Sequence, residues 1–350
     1  MVSQSIVLRL TSIATLGSHC ALQVLKGAKD EGFKTLLVCE NKRKSLYQRF
    51  RFIDELLLVN SFTEILDQST LDLLQKNESI LIPHGTLISN MDGKQIENIK
   101  LPFFGNRWIL RWEADRNLKE KLMKEAGLET PKSIDGPNDI DRLVIVKLHG
   151  AAGGKGYFLA WDKKSFLERA EKLKKKELIK SENDLYIQEY SFGVPVYLQY
   201  FYSPLNDELE FLGIDRRYES DVDALGRVPS KHQQEVEIEP SYTVIGNIPL
   251  VLRESLLEKV YNMGERFVQA SKRLVKPGML GPFCIEGVYD KDGKFTSFEF
   301  SARIVAGTNL YVEGSPYSAF IYDEPMSMGR RIAREIKDAQ SRDILDKVIT

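Results

Sequence analysis

The chain has 350 residues, 43% of them hydrophobic and 28% charged, with a formal net charge of −1 at pH 7. This length allows two or three domains, each with its own core. The balanced charge argues against a nucleic-acid-binding or membrane surface, and no apolar run is long enough for a transmembrane helix. The amino terminus lacks the basic segment and apolar core of a signal peptide, so we expect a cytoplasmic protein. Three widely spaced cysteines favour reduced thiols over disulfides or a zinc site.

The amino-terminal part of the chain alternates strands and helices. A helix follows the first strand and ends near Gly32. The predicted apolar strands lie within about residues 5–15 and at 35–40, 55–60 and 79–85. This order is typical of an α/β domain with a parallel sheet, in which ligands bind beyond the carboxyl ends of the strands.

Two loops at these strand ends are candidate binding sites. In one, Ser18 and His19 open the first helix, where free amides and the helix dipole favour a phosphate. The alternative is that Ser18 acts only as the helix N-cap. The other loop covers residues 83–86 and contains Thr86. The dinucleotide motif GxGxxG is absent, which disfavours a dinucleotide-binding site.

A glycine-rich loop joins two predicted strands within residues 144–160. Gly153, Gly154 and Gly156 would let backbone amides close around phosphate oxygens, and Lys155 adds a positive charge. Lys147, on the incoming strand, could reach the same phosphates. A strand follows the loop and no Ser or Thr follows its lysine, so it is not a P-loop. We interpret it as a hairpin lid, with a simple flexible turn as the alternative.

Two strand-like runs flank Asp292-Gly293, a dipeptide that favours a two-residue hairpin turn. That turn would place Glu286 directly opposite Glu299, with Cβ atoms roughly 5 Å apart, and Phe298 and its neighbours Ile285 and Phe300 on the other face. Like charges in this arrangement destabilise a hairpin unless a cation lies between them, and Mg²⁺ or Mn²⁺ prefers such oxygen ligands. The alternative is two solvated carboxylates on an exposed sheet face.

The remaining segments complete a mixed α+β pattern. An aromatic stripe at 196–204 favours a buried strand over a base-stacking platform. The other predicted elements are a strand at 185–193 and helices at 112–128, 163–182, 256–274 and 326–349.

The order of these parts resembles the ATP-grasp superfamily, in which two α+β subdomains hold ATP between them. The resemblance rests on a lysine-bearing helix, a strand lysine, a glycine lid, a Gln-Glu-Tyr hinge strand and a hairpin with two glutamates followed by Arg and Asn. It implies ATP and Mg²⁺ or Mn²⁺ as cofactors. It also implies a Rossmann-like domain at 1–112, a lid subdomain at 113–195 and a carboxy-terminal subdomain with the metal site at 196–350.

The resemblance assigns roles to individual residues. Glu286 and Glu299 would hold the metal, and Arg303 and Asn309 would lie near the transferred phosphate. Many members carry a ribose-binding acid where this chain has Pro195, so Glu219 is the candidate here. The residues implied to contact ATP are Lys121, Lys147, Gly153, Gly154, Lys155, Gly156, Gln188, Glu189, Tyr190, Ser191 and Glu219.

Motifs across the chain, including IATLGSH, PHGTLIS, FGNRWILRWEADR, RRYES and GPFCIEG, resemble archaeal formate-dependent 5-aminoimidazole-4-carboxamide ribonucleotide ligases. The resemblance implies that ATP activates formate as formyl phosphate, which the ribonucleotide amine then attacks, and that the enzyme is a homo-oligomer. It places His19, Thr86 and Asn247 at the ribonucleotide, with Ser18 at its 5′-phosphate and Arg303 at formate. Two alternatives remain: a paralogous ligase for another amine or acid, and a non-catalytic nucleotide-binding regulator.

Overall fold

The computed structural model describes residues 11–148, 157–233 and 243–350, and three β-sheets organise them. A parallel sheet contains β1 (Ser12–Leu16), β2 (Lys34–Glu40), β3 (Glu55–Val59) and β4 (Ser79–Leu81). A small antiparallel sheet contains β5 (Ser133–Ile134), β6 (Val144–Leu148), β7 (Phe158–Ala160) and β8 (Leu185–Glu189). A larger antiparallel sheet contains β9 (Val194–Ser203), β10 (Glu208–Glu219), β11 (Val244–Pro249), β12 (Gly281–Tyr289) and β13 (Phe295–Ser301).

Helices connect and cover these sheets. The α-helices are α1 (Ala21–Asp30), α2 (Lys44–Tyr47), α3 (Gln68–Lys76), α4 (Gly85–Asn90), α5 (Gly93–Glu97), α6 (Ile109–Ala114), α7 (Arg116–Glu125), α8 (Lys163–Lys175), α9 (Ser220–Leu225), α10 (Ser230–Gln233), α11 (Leu257–Leu274) and α12 (Met328–Ser341). Short 3-10 helices cover Asn41–Arg43, Phe62–Leu66, Pro137–Asp139, Glu182–Asp184, Glu254–Leu256, Ala306–Tyr311, Ser318–Phe320 and Leu345–Lys347. No helix in the described ranges is long and apolar enough to cross a membrane.

The amino-terminal sheet is parallel throughout, with strand order β3-β2-β1-β4, as the alternating pattern predicts. All five residues of β1 and five consecutive residues of β2 are buried. Helices therefore cover both faces, which is the usual environment of a parallel sheet. The loop after β1 and the loop after β4 lie at the same sheet edge, so the residues His19 and Thr86 come together there.

Three predicted helices differ in their limits from those of the structure. The helix predicted at 112–128 is two helices, because Asp115 is extended and its side chain accepts a hydrogen bond from the Leu118 amide as the N-cap of α7. The helices predicted to reach 182 and 349 end at Lys175 and Ser341. A left-handed residue follows each of these two ends, Glu177 with φ 55° and Asp343 with φ 56°.

The larger antiparallel sheet has the order β11-β10-β9-β12-β13. Its inner face forms the main core, in which Phe283 stacks on Tyr200 and packs against Phe267 of α11. The aromatic stripe of β9 is buried, as predicted. The opposite face carries polar and charged side chains, so this sheet has one apolar face and one face suited to bind a ligand. The sequence pattern did not predict β10 or β11.

The carboxy-terminal helix α12 packs directly on α1 of the parallel sheet. Two glycines allow this close approach: a Cβ on Gly27 would lie 2.1 Å from the Arg330 nitrogen, and one on Gly329 would lie 2.3 Å from the Gln23 carbonyl oxygen. At the same crossing, the Glu31 carboxylate accepts hydrogen bonds from Arg330 and Arg334. The predicted domain limits stay a prediction, but this contact ties residues near both ends of the chain together.

We expect Gly27→Ala to lower the free energy of unfolding by about 2 kcal/mol. The added methyl group would force the two helix backbones apart, and this cost exceeds the gain of about 1 kcal/mol that alanine gives inside a helix. Chemical denaturation would measure the difference. Gly226→Ala is the matched control, because the nearest atom to its Cβ would lie 3.7 Å away. Equal stabilities of the two variants would contradict the prediction.

Candidate active site

Two carboxylates face each other on the polar side of the larger sheet. Glu286 of β12 pairs with Glu299 of β13, as predicted. The connection is longer than the predicted two-residue turn: the Asp290 amide donates to the Lys294 carbonyl, and Gly293 adopts φ 72°. A bulge next to Glu286 restores the predicted pairing. The predicted register is therefore correct for Cys284–Glu286, whereas the predicted turn was wrong and the pairs between the turn and the bulge are shifted by one residue.

The bulge also changes the direction of Phe298. The sequence pattern placed this ring on the core face, but it packs near Tyr197, with ring centroids 6.4 Å apart, and the Lys147 ammonium lies 5.6 Å from its centre. An extra residue in one strand shifts the alternation of its side chains. Phe298 therefore contributes an apolar surface to the polar face of the sheet.

Protein cations lie beside both carboxylates. The Lys119 ammonium forms an ion pair with Glu299, and Arg217 Nη2 lies 3.0 Å from Glu286 Oε2. Ser301 Oγ donates to the other Glu286 oxygen at 2.9 Å. Burial alone would raise the pKa of Glu299, but the positive charges of Lys119 and then Lys147 hold it below its usual value. Glu299 is thus held ionised beside the cations of the site.

The strand lysine lies at the same place. Lys147 Nζ donates to Gln188 Oε1 at 3.0 Å and lies 5.9 Å from the centre of the Tyr157 ring. Burial lowers the pKa of Lys147 to about 8, against the opposing effect of Glu299. The negative charge of Glu299 therefore offsets only part of the cost of burying this ammonium ion, and an anionic ligand beside it would stabilise its charged form.

Lys121, the lysine that the resemblance assigned to ATP, does not join this cluster. It is exposed on α7, and its ammonium lies 5.9 Å from the Trp112 ring centre. Lys119 lies beside Glu299 instead, with a side chain that is only 16% exposed. Residues two apart on a helix point in nearly opposite directions, so only one of these lysines can face the sheet.

The hinge strand β8 ends beside the same cleft. The Glu189 amide donates to the Lys132 carbonyl and the Tyr190 amide to the Leu143 carbonyl. Contacts of a base with this segment would therefore use its carbonyl groups or the Ser191 amide. Glu219, at the end of β10, raises the pKa of the Tyr190 hydroxyl after the larger effect of burial, which places its carboxylate within electrostatic range of the hinge.

The predicted glycine lid lies outside the described residues. Gly153, Gly154, Lys155 and Gly156 belong to the interval 149–156, between β6 and β7. Their assignment to phosphate binding stays a prediction. The paired strands β6 and β7 that border the interval agree with the predicted strand, loop and strand order.

A second group of residues lies at the carboxyl edge of the parallel sheet. The His19 and His84 rings are parallel, with centroids 5.4 Å apart. Asn309 Nδ2 donates to the His19 carbonyl at 3.0 Å, and Arg43 lies 3.4 Å from the Ser18 hydroxyl. Helix α1 begins at Ala21 with Cys20 as its N-cap residue, so Ser18 is not the N-cap. Asn309 thus belongs to this group and not to the paired carboxylates.

Both imidazoles of this group are held neutral. His84 accepts the Thr86 amide hydrogen at Nδ1, and its Nε2 therefore donates to the Leu16 carbonyl. Burial lowers the pKa of His84 to about 4. The protein around His19 and the charge of Arg303 lower the pKa of His19 well below its usual value, although part of its surface is open to the cleft. Thr86 is buried beside this pair.

We expect His84 to make the free energy of unfolding fall by about 3 kcal/mol as the pH drops from 7 to about 4. The unfolded chain binds a proton near pH 6.5, whereas the folded protein excludes it until about pH 4. The contribution of His84 to the free energy of unfolding is therefore fully present above pH 6.5 and is lost as the pH falls toward 4. Denaturation of wild type and His84→Gln across this range tests the effect. Parallel pH dependences would contradict it.

Arg303 connects the two groups of residues. Its Nη2 lies 2.9 Å from Glu113 Oε1, and its Nη1 donates to the Ile304 carbonyl at 3.2 Å. Its charge lowers the pKa of His19 and His84, and Glu286 in turn helps to keep the guanidinium protonated. Within the described part of the chain, the buried Nε has no hydrogen-bond partner. A buried donor without an acceptor is costly, so this atom is suited to meet a ligand oxygen.

Asn247 of β11 lies on the polar face of the larger sheet, next to β10. It pairs with Arg217 across β10 and β11, and its Nδ2 donates to Asp215 Oδ2 at 2.7 Å. Asn247 was predicted from the sequence, whereas Asp215, Arg217, Lys119 and Glu113 were not. Asp215 and Arg217 alternate with the core residues of β10, so recognition of that strand would have placed both on the ligand face.

The donor set at Glu286 and Glu299 fits a hard divalent cation only in part. Two carboxylates on paired strands supply oxygen ligands of the type that Mg²⁺ takes. Within the described ranges, however, no group of three or more His, Cys, Asp or Glu side chains could hold a metal ion. The pair could therefore bind a cation that also has oxygen ligands from a phosphate and from water.

Two family models match the chain. Residues 13–134 match a model described as a protein of unknown function, DUF1246, and residues 165–350 match a domain of unknown function, DUF1297. Among curated proteins, the 5-formaminoimidazole-4-carboxamide-1-(β)-D-ribofuranosyl 5′-monophosphate synthetase of Nitrosopumilus maritimus is 60% identical over 97% of this chain and 100% of its own length. The protein of the same name from Pyrococcus abyssi is 51% identical over 97% and 98%.

Solved structures agree with these similarities. The IMP biosynthesis protein PurP from Thermococcus kodakaraensis is 32% identical, with a TM-score of 0.77 over 97% of this chain and 100% of that chain. Biotin carboxylase from Campylobacter jejuni, solved as a β,γ-ATP complex, is 15% identical, with a TM-score of 0.65 over 95% and 71%. The second likeness concerns the fold alone. The predicted fold class, an ATP-grasp fold preceded by a Rossmann-like domain, is confirmed.

Proposed function

Because this chain belongs to the family of 5-formaminoimidazole-4-carboxamide ribonucleotide synthetases, we propose that it formylates 5-aminoimidazole-4-carboxamide ribonucleotide with formate and ATP. The observation that carries the proposal is the position of Arg303, which joins a carboxylate pair surrounded by lysines to a pair of neutral imidazoles. The carboxylate pair and its lysines are suited to ATP, and the imidazole pair is suited to the ribonucleotide. The reaction would be a step of purine biosynthesis.

ATP would bind between the small antiparallel sheet and the larger one. The base would lie against the hinge, with Gln188, Glu189, Tyr190 and Ser191 around it and Glu219 near the ribose. Lys119 and Lys147 would neutralise the phosphates, together with the lid residues 153–156. Glu286 and Glu299 would hold Mg²⁺ or Mn²⁺ with phosphate oxygens, and the ion would supply charge neutralisation at the transferred phosphoryl group.

Formate is a poor acyl donor because its carboxylate oxygen is a bad leaving group. Transfer of the γ-phosphoryl group from ATP to a formate oxygen would give ADP and formyl phosphate. The ribonucleotide amine would then attack the formyl carbon, the bond from that carbon to the phosphate oxygen would break, and phosphate would leave with its electron pair. Arg303 would orient formate through its fork of N–H donors, including the unpaired Nε.

The ribonucleotide would lie along the edge of the parallel sheet. Ser18 and the start of α1 would meet its 5′-phosphate, and Arg43 lies close enough to add charge. His19, Thr86, Asn247 and Asn309 would contact the rest of the molecule. The amine must lose a proton after attack, and His19 is a candidate acceptor because its ring is neutral, has an unprotonated nitrogen and is open to the cleft.

Release of phosphate from ATP tests the proposal. We expect release with Mg²⁺ only when formate and the ribonucleotide are both present, together with a product that is heavier by one formyl group in place of hydrogen. Release with formate alone would indicate that formyl phosphate forms and hydrolyses. If ATP binds but neither compound triggers release, the chain is a ligase for another acid or amine or a nucleotide-binding regulator, and the proposal is wrong.

A further inference from the structure

Asp215 is a buried carboxylate beside the proposed ribonucleotide site, and the proposed mechanism gives it no role. It lies on β10 in the same row across the sheet as Tyr197, Glu286 and Glu299. Only 1% of its surface is exposed. Burial of a charge is costly, and an apolar residue at this position would cost less. Stability of the fold therefore does not explain Asp215.

Two side-chain amides enclose this carboxylate. Gln199 Nε2 donates to Oδ1 and Asn247 Nδ2 donates to Oδ2. An ionised carboxylate can only accept hydrogen bonds, so both amides must turn their NH₂ groups toward it. Burial raises the pKa of Asp215 to about 6 while the two amides oppose the shift, so the group is mainly ionised at neutral pH. The charged neighbours that act on it are Arg217 and Glu286.

The carboxylate also has no room to move. A Cβ on Gly307 would lie 2.1 Å from Asp215 Oδ1, so the 3-10 helix Ala306–Tyr311 packs directly on it. The same short helix carries Asn309, which donates to the carbonyl of His19. The carboxylate is therefore fixed within the segment that also borders the imidazole pair.

We infer that Asp215 is a positioning residue: it fixes the Asn247 amide with its NH₂ group turned inward and its carbonyl oxygen turned toward the substrate. An oxygen in that position accepts a hydrogen bond, so it selects a substrate that offers N–H groups at this point. The amine and the carboxamide of the aminoimidazole ribonucleotide both do so. The inference rests on the proposed function, and it adds the means by which the site distinguishes an N–H donor from an acceptor.

Asp215→Asn tests this role with almost no change in shape. An asparagine has one acceptor and one donor group, so it cannot accept from both neighbouring amides, and Asn247 would lose its fixed orientation. We expect the dissociation constant of 5-aminoimidazole-4-carboxamide ribonucleotide, measured by calorimetry, to rise about tenfold. The KM for this substrate should rise by a similar factor, and kcat at saturation should change less than threefold.

A double-mutant cycle separates positioning from a general structural effect. In an Asn247→Ala background, Asp215→Asn should weaken binding less than twofold, because the amide on which it acts is gone. Equal losses in both backgrounds, or unchanged affinity in a folded Asp215→Asn variant, would overturn the inference. Asp292→Asn in the exposed hairpin loop is the control for the substitution itself.

Failure of the Asp215→Asn variant to fold and failure of the wild type to bind the ribonucleotide have different consequences. If Asp215→Asn does not fold, Gly307→Ala makes the same comparison, because its methyl group would displace the carboxylate without removing its charge. Its effect should shrink in the Asn247→Ala background, and an effect of the same size in both backgrounds would overturn the inference. If wild-type protein does not bind the ribonucleotide, the proposed function fails. If wild type binds and the cycle is additive, only the role of Asp215 is wrong.

Discussion

Lys119→Met should lower kcat for phosphate release by a hundred- to a thousandfold, whereas Lys121→Met should leave it within about twofold. Lys119 forms an ion pair with Glu299 and lies in the field of Glu113 and Glu286. Its charge is therefore placed where the phosphoryl group would transfer. Steady-state rates of the two purified variants, measured with saturating ATP, formate and ribonucleotide, provide the comparison.

The pair of variants is well matched because the two lysines lie on one helix and differ little in backbone environment. Lys121 lies on the solvent-exposed side of α7, and its ammonium is near the Trp112 ring. Methionine keeps most of the length of either side chain and removes only the charge. Loss of activity in Lys121→Met with full activity in Lys119→Met would show that α7 is rotated relative to the structure, and would contradict the assignment.

This pair also shows where sequence patterns are insufficient. The spacing predicted one continuous helix through Asp115, and the resemblance then selected Lys121. The helix restarts at Asp115, whose side chain caps α7, and the side chain that reaches the cleft belongs to Lys119. An error of two positions is small for an element boundary, but on a helix it exchanges the buried side for the exposed side.

The paired glutamates were predictable because strand pairing is nearly local. Glu286 and Glu299 lie on consecutive strands, and charge repulsion between them points to a cation without knowledge of other elements. The bulge was not predictable from the pattern, since nothing in the alternation of residues 295–301 indicates an extra residue. Phe298 was consequently assigned to the wrong face.

Strand β10 was missed for a different reason. Its outer half reads Ile-Asp-Arg-Arg-Tyr-Glu, a charged run typical of a loop, and Gly213 interrupts its apolar half. The run forms a strand because residues of other strands satisfy its charged side chains. Arg217 pairs with Glu286. Asp215 accepts hydrogen bonds from the side-chain amides of Gln199 and Asn247. Such compensation is a tertiary effect and cannot be read from a local window.

The pairing of Arg303 with Glu113 is equally non-local. Glu113 lies in the motif FGNRWILRWEADR and Arg303 follows the last hairpin, so the sequence gives no sign that they meet. In the structure Glu113 accepts from the Ala302 amide through one oxygen and pairs with Arg303 through the other. The motif was conspicuous in the sequence, and its physical role is to hold the guanidinium in place.

Arg303→Lys should raise the KM for formate about a hundredfold, with a smaller change in the KM for ATP. Lysine keeps the charge and the ion pair with Glu113, but it has no Nε–H and no planar fork for two parallel hydrogen bonds. The missing donors would be worth about 3 kcal/mol to a bound carboxylate, which corresponds to a factor of this size. Initial rates at varied formate concentrations measure the effect.

Arg331→Lys is the matched control for this substitution. Arg331 is also buried, with hydrogen bonds from its guanidinium to Glu210 and Glu335, but it lies in α12, away from the cleft. Both variants should lose stability, because each disturbs a buried ion pair. Only Arg303→Lys should change the KM for formate. An equal rise in both variants would mean that general destabilisation explains the effect, and the unpaired Nε of Arg303 would then have no part in binding the acid.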